Sequence, residues 1–103
     1  MPSLDEPRDR AAPSADTRIY LIEDDPTILQ FVQQTLLLRP QWVLLGQSGS
    51  LAQARQEALL SDANVFLVDL GLPDGRGEEV LRLLARHQPE AELLVFTVFG
   101  EES

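Results

Sequence analysis

The sequence contains neither cysteine nor lysine. Without cysteine it cannot form a disulfide framework, a thiolate metal site or a cysteine nucleophile. Without lysine no mechanism can use a side-chain ammonium group, because all 8 basic residues are arginines. The 17 acidic residues give a formal net charge of -9. Nucleic-acid binding requires a basic surface that neutralises phosphates, so we expect no direct binding of nucleic acid by this chain.

Signals for membranes and secretion are also missing. The N-terminal stretch of residues 1–6 has no basic region followed by an apolar one, as a secretory signal would have. The longest apolar runs, such as residues 65–68, are far too short to span a bilayer. We therefore expect a cytoplasmic protein that makes no contact with a membrane.

Regular patterning begins at Arg18. Residues 1–17 contain three of the 7 prolines and no periodic apolar pattern, which predicts a disordered tail. Short apolar runs at 19–22, 42–45, 65–68 and 93–96 predict four strands, separated by three segments with helical periodicity. Asp25-Pro26 is typical of a helix start, a capping box is predicted at Ser50, and the first helix is expected to end near Arg39. The alternation predicts one α/β domain over residues 18–103, with a doubly wound parallel sheet.

Polar side chains end three of the predicted strands. The first strand ends in Glu23-Asp24-Asp25, the third in Asp69 and the fourth in Thr97. The carboxyl ends of parallel strands meet at one edge of the sheet. Carboxylates without histidine or sulfur partners select Mg²⁺, Mn²⁺ or Ca²⁺. The pattern favours a magnesium-assisted phosphoryl site with a carboxylate nucleophile, although any one of these acids could be a solvated charge or a loop cap.

Three segments together resemble the receiver domain of two-component response regulators. They are Leu21-Ile22-Glu23-Asp24-Asp25-Pro26, Val68-Asp69-Leu70-Gly71-Leu72-Pro73-Asp74-Gly75 and Val95-Phe96-Thr97. The resemblance covers residues 18–103, and the second segment together with residues 46–52 is similar to receivers of LuxR/NarL-type transcriptional regulators. It implies a flavodoxin-like (CheY-like) fold with strand order 2-1-3-4-5.

The resemblance also implies a role for each matched residue. Asp69 would be the phosphoacceptor, Thr97 the switch hydroxyl, and the ligands of Mg²⁺ would be Glu23, Asp24, Asp69 and the backbone carbonyl of Gly71. Three residues would shape the loop after Asp69, where an ordinary turn is a compatible interpretation: Pro73, Gly75 and Gly77. The implied partner is a sensor histidine kinase. The implied activity is that of a phosphoacceptor within a transcriptional regulator, which is not a turnover enzyme.

The sequence departs from the family at its C-terminal side. Receivers carry a lysine on a fifth strand, and this sequence has neither that strand nor any lysine, so we expect a receiver truncated before it. The fourth strand would then be an exposed apolar edge that favours self-association. Two alternatives remain. One is a non-switching interaction or dimerisation module, and the other is a magnesium-dependent phosphatase, disfavoured because Gly71 stands where such enzymes place a second aspartate.

Overall fold

The computed structural model describes residues 17–96. Strands and helices alternate along most of this range, and a small hairpin follows the third strand. A single 3-10 turn, Ala58–Leu60, extends the second helix. In chain order the elements are β1 (Thr17–Ile22), α1 (Pro26–Leu36), β2 (Trp42–Ser48), α2 (Leu51–Glu57), β3 (Val65–Asp69), β4 (Gly71–Leu72), β5 (Gly75–Arg76), α3 (Gly77–His87) and β6 (Glu92–Phe96).

Four of the strands form one parallel sheet in the order β2-β1-β3-β6. β6 is the fourth strand predicted from the sequence, so the predicted doubly wound α/β architecture and strand order are confirmed. β4 and β5 pair antiparallel with each other and form a short hairpin directly after β3. In the order β2-β1-β3-β6, β1 and β3 are neighbours at the centre of the sheet. Both strands run towards the edge where this hairpin lies.

The main core lies between the sheet and helices α2 and α3. Alternate residues of the central strands face these helices, as expected for strands whose side chains alternate between the two faces of a sheet. Burial of this apolar surface, worth roughly 25 cal/mol per Å², holds β1 and β3 in fixed register. The cluster comprises Tyr20, Ile22, Leu51, Ala54, Ala58, Ala63, Phe66, Val68, Leu72, Val80 and Leu84.

Element boundaries differ from the sequence expectations in two places. β1 begins at Thr17, one residue inside the predicted tail, because Thr17 pairs with Trp42 of β2. Residues 1–16 lie outside the described range. α1 ends at Leu36, before the predicted stop near Arg39, because the Arg39 N–H donates to the Leu36 carbonyl at 3.0 Å in a turn instead of an α-helical bond.

The helix starts agree with the prediction, with one local difference. The Asp25 side chain accepts from the Thr27 N–H at 2.8 Å and caps α1. Ser50 accepts from the Gln53 N–H at 3.1 Å and caps α2. The Gln53 side chain, however, accepts from the Gly49 N–H at 3.0 Å and not from Ser50, so the capping box is shifted by one residue.

The strand β6 forms one side of the sheet within residues 17–96, where it pairs with β3 alone. Its Leu94 and Val95 side chains are 49% and 48% exposed. The apolar edge expected from the sequence is therefore present in the described part of the chain. Within the same range, none of the helices is both long and apolar enough to cross a membrane.

Candidate functional site

Three carboxylates converge at the carboxyl edge of the sheet. Glu23 and Asp24 follow β1, and Asp69 is the last residue of β3. Because Ile22 and Val68 are in register in neighbouring parallel strands, the residues that follow them reach the same place. Each of the three acids offers a carboxylate oxygen within 4.8 Å of the others. The convergence predicted from the strand ends is therefore observed for these acids.

Glu23 is the most unusual member of this cluster, because its side chain is only 1% exposed. Its Oε2 accepts from the Asp25 N–H at 2.8 Å. Its Oε1 is buried and has no hydrogen-bond partner among residues 17–96. Burial raises the pKa of Glu23 from 4.5 to about 7, and the nearby charges of Asp69 and Asp24 add to the increase. A buried acceptor without a donor is costly unless a cation or proton occupies its open side.

Asp69 and Asp24 complete the cluster in different environments. Asp69 is 7% exposed, and its Oδ1 accepts from the Gly71 N–H at 3.1 Å. This hydrogen bond fixes the orientation of the carboxylate relative to the loop that follows. Asp24 is exposed and so leaves the cluster open to solvent on its side. The site therefore combines two buried carboxylates with one that is exposed to solvent.

The loop after Asp69 is held close to the strand by Gly77, the first residue of α3. A Cβ at this position would lie 2.5 Å from the Asp69 carbonyl oxygen and 2.7 Å from the Leu70 Cα. The Gly77 N–H donates to the Leu70 carbonyl at 3.0 Å. Glycine is needed here because the backbones touch. At Gly75, in contrast, a Cβ would meet only the flexible side chain of Leu51.

The remaining loop residues lie in the hairpin. Pro73 is exposed and stands between β4 and β5, as a turn-forming residue should. Gly71 is exposed, and its N–H donates to Asp69, the candidate phosphoacceptor. Thr97, the predicted switch hydroxyl, lies outside the described residues.

Asp74, at the tip of the hairpin, has a contact that the sequence did not reveal. Its two carboxylate oxygens accept from the Leu51 N–H at 2.6 Å and the Ala52 N–H at 3.0 Å, at the start of α2. These hydrogen bonds, the one from Leu51 first, lower the pKa of Asp74. The motif identified Asp74 only as a turn residue, because the contact joins positions more than 20 residues apart.

A buried hydroxyl pair beside Glu23 was also missed. The Tyr20 hydroxyl hydrogen-bonds to the Ser48 hydroxyl, and the Ser48 carbonyl accepts from the Glu23 N–H at 2.9 Å. Burial raises the pKa of Tyr20. A Cβ at Gly46 would lie 2.9 Å from the Tyr20 ring, so the glycine provides the space for this side chain. The pair ties the end of β2 to the strand that delivers Glu23.

The donor set fits a hard divalent cation. Carboxylate oxygens are preferred ligands of Mg²⁺, which is commonly bound through one or two carboxylates while it keeps several waters. Glu23 supplies a buried oxygen that has no donor, and Asp24 and Asp69 lie within reach of the same point. No histidine belongs to this cluster, which further favours an oxygen-preferring ion.

Comparison with known proteins agrees with the geometry. The sequence model of the "Response regulator receiver domain" family matches residues 19–103. The DNA-binding transcriptional activator DevR/DosR of Mycobacterium tuberculosis is 27% identical over 85 residues, which are 82% of this chain and 39% of that protein. The nitrate/nitrite response regulator protein NarL of Escherichia coli is 29% identical over 84 residues, again 82% of this chain and 39% of the relative. The chain thus spans about two fifths of the length of these relatives.

A solved structure shows the same fold. The isolated REC domain of RcsB from Salmonella enterica serovar Typhimurium, determined in the presence of phosphomimetic BeF3-, superposes with a TM-score of 0.73 at 20% identity. The match covers 82% of this chain and 64% of that one. Receiver domains are generally not enzymes. From the family match over residues 19–103, the chain belongs to the receiver domain family of two-component response regulators, and its relatives include LuxR/NarL-type transcriptional regulators.

Proposed function

We propose that this receiver accepts a phosphoryl group on Asp69 from the phosphohistidine of a sensor histidine kinase. Receiver domains act with histidine kinases and typically bind Mg²⁺ through acidic residues. The observation that carries the proposal is the meeting of Glu23, Asp24 and Asp69 within 4.8 Å, with a buried Glu23 oxygen that lacks a donor. These three side chains and the Gly71 carbonyl would hold the ion.

The chemical step uses Asp69 as the nucleophile. One carboxylate oxygen attacks the phosphorus, and the bond between phosphorus and the histidine nitrogen breaks with its electron pair leaving on nitrogen. The histidine nitrogen that held the phosphoryl group then takes up a proton from solvent. Asp69 becomes an acyl phosphate. When bound, Mg²⁺ supplies positive charge that lowers the repulsion between the carboxylates and the incoming phosphoryl oxygens.

The surrounding residues orient this reaction. The Gly71 N–H holds Oδ1 of Asp69, so the carboxylate has a defined direction before the phosphodonor arrives. Gly77 keeps the loop against the Asp69 backbone. The exposed side chain of Asp24 leaves that side of the cluster open for the donor. Preorganised positioning is the main contribution a protein makes to phosphoryl transfer.

The signalling step assigns a role to Thr97. We infer that its hydroxyl moves towards the phosphorylated Asp69 and biases a two-state equilibrium, as in other receivers. Because the relatives named above are transcriptional regulators, we also propose that the module controls transcription within a complete regulator. Thr97→Ala should leave phosphorylation of Asp69 intact and abolish the phosphorylation-dependent change in conformation, as measured by NMR shifts.

The test of the acceptor is direct phosphorylation. Incubation with Mg²⁺ and acetyl phosphate should add the mass of one phosphoryl group to the wild-type chain, and Asp69→Asn should show no adduct. Asp62→Asn is the matched control, because Asp62 is 94% exposed and borders the opposite end of the sheet, where it pairs with Arg18. An adduct that persists in Asp69→Asn contradicts the proposal. Repeated turnover of acetyl phosphate would favour the phosphatase alternative.

A second candidate function is self-association through β6. The observation that favours it is the half-exposed apolar edge formed by Leu94 and Val95. Exposed apolar edge strands tend to pair with another chain. Wild-type protein should sediment as an oligomer at micromolar concentration, and Leu94→Lys with Val95→Lys should sediment as a monomer. Leu60→Lys, at an apolar site that is 86% exposed elsewhere, is the control. A wild-type monomer throughout refutes the candidate.

Formation of the phosphoryl adduct in the presence of Mg²⁺ separates the two functions. A chain that binds Mg²⁺ and gives no adduct would be a non-switching interaction module. A chain that forms the adduct is a phosphoacceptor, whatever its oligomeric state. Since the sequence contains no lysine, an adduct would also show that phosphorylation of this chain does not require a side-chain ammonium group.

A further inference from the structure

The β4–β5 hairpin is attached to the rest of the molecule at both of its ends. At its base, the Gly77 N–H donates to the Leu70 carbonyl at 3.0 Å. At its tip, the Asp74 carboxylate accepts from Leu51 and Ala52. Gly71 lies between these two attachments. The hairpin is therefore held by hydrogen bonds at two separate points.

The attachment at the tip is directional. The first N–H groups of a helix have no partner within the helix, so an external acceptor can engage them without competition. Asp74 engages two of them, one with each oxygen. The Ser50 side chain, the N-cap of α2, accepts from a third N–H group, that of Gln53. The hydrogen bonds to Asp74, the one from Leu51 first, lower the pKa of its carboxyl.

The buried side chain of Leu72 alone would not set the direction of the hairpin. Leu72 is 7% exposed and belongs to the main core, which fixes the depth of β4. Apolar contacts are non-directional, whereas a pair of hydrogen bonds to one carboxylate restricts rotation. Asp74 thus supplies the orientation that Leu72 cannot supply.

We propose that Asp74 is a positioning residue for the phosphoryl site: it holds the loop against α2 so that the Gly71 peptide stays beside Asp69. The link is short, because Gly71 begins β4 and already donates to Asp69 Oδ1 at 3.1 Å. Movement of the tip would shift Gly71, the residue that carries both this N–H and the carbonyl assigned to Mg²⁺. The inference rests on the function proposed above.

The experiment compares three variants by Mg²⁺ titration, followed through the backbone amide signals in NMR. Asp74→Ala removes both hydrogen bonds and should weaken Mg²⁺ binding about fivefold, the equivalent of about 1 kcal/mol. It should also accelerate hydrogen exchange at the Gly71 amide. Asp74→Asn removes the same charge but keeps one oxygen that can accept one of the two hydrogen bonds, so its affinity should lie between those of the wild type and Asp74→Ala.

Ser50→Ala is the matched control for helix stability. It removes the other side-chain cap of α2, so it should lower the thermal midpoint as much as Asp74→Ala does. It should leave both the Mg²⁺ affinity and the hydrogen exchange of the Gly71 amide unchanged, because the hydrogen bond that it removes joins Ser50 to Gln53 and not to the hairpin. A loss of affinity in Ser50→Ala equal to that in Asp74→Ala would overturn the proposal.

Two other outcomes would also overturn it. Equal weakening in Asp74→Asn and Asp74→Ala would mean that the charge of Asp74 matters and its hydrogen bonds do not. Unchanged Gly71 exchange in Asp74→Ala would mean that the tip does not position the loop. Exchange is measured without Mg²⁺ as well. If the wild-type chain fails to bind the ion, the assignment of the metal site fails while the exchange data still decide the role of Asp74.

Discussion

The buried carboxyl of Glu23 predicts an unusual dependence of stability on pH. Its pKa is about 7 in the folded protein and near 4.5 when it is exposed to water. Below pH 4.5 the carboxyl is protonated in both the folded and the unfolded protein, so its ionisation does not lower the free energy of unfolding. Between these values the unfolded chain releases the proton and the folded chain keeps it, so the free energy of unfolding falls as the pH rises. Above pH 7 both are ionised, and the penalty stays constant.

The size of this penalty follows from the shift in pKa. Each unit corresponds to about 1.4 kcal/mol, so the full cost of an ionised Glu23 is up to about 3 kcal/mol. Glu23→Gln removes the ionisation and keeps the shape of the side chain. In the absence of Mg²⁺ at pH above 7, the variant should therefore be more stable than the wild type. In a domain of this size the full difference corresponds to a rise in Tm of up to roughly 10–20 °C.

Urea denaturation of both proteins near pH 4.5 and at a pH above 7 measures this difference. The two should be closest in stability at the acidic pH and differ most at the higher pH. Added Mg²⁺ should stabilise the wild type more than the variant, because the ion binds the ionised folded state. Glu92→Gln, at an exposed glutamate on β6, is the control and should not alter the pH dependence.

The reasoning is refuted if the stability difference between wild type and Glu23→Gln is the same at both pH values. It is also refuted if the variant is the less stable protein at the higher pH. Either result would mean that Glu23 Oε1 has a partner in solution that compensates its burial. The comparison uses the difference between two proteins, so titration of groups far from Glu23 cancels to first order.

Two further predictions concern residues around the site. Gly77→Ala should lower the free energy of unfolding by about 2–3 kcal/mol and slow phosphorylation of Asp69, because the added Cβ would overlap the Asp69 carbonyl. Gly49→Ala is the control for urea denaturation. The Cβ of this variant meets nothing nearer than 3.8 Å, so its free energy of unfolding should be nearly unchanged. Tyr20→Phe should cost about 1–3 kcal/mol, because it leaves the buried Ser48 hydroxyl unpaired. Adding Ser48→Ala should recover part of that loss in a double-mutant cycle, and additive losses would contradict a coupled pair.

The features that could be predicted from the sequence are those encoded by local pattern. Strand length and β/α alternation predicted the parallel sheet, and the resemblance to receiver domains implied the order of its strands. The position of Glu23, Asp24 and Asp69 at strand ends predicted their convergence, because parallel strands share one carboxyl edge. The helix start at Asp25 was likewise visible as a local motif.

The features that could not be predicted depend on contacts between distant parts of the chain. The sequence placed Glu23 at the site but could not show that it is almost fully buried, and its raised pKa is a consequence of that burial. Asp74 caps a helix that precedes it by more than 20 residues. Tyr20 and Ser48 each resemble ordinary strand residues until the pairing of β1 with β2 brings them together.

The direction of β1 has a practical consequence for attaching this protein to a surface or a label. The strand enters the sheet at Thr17 and runs for 6 residues towards the carboxylates. At about 3.3 Å per residue, its first residue lies roughly 20 Å from Glu23. A tether joined upstream of Thr17 therefore enters at the end of the sheet away from the carboxylates. Biosensor chips and single-molecule handles should be linked on that side, so that the acidic edge faces the solution.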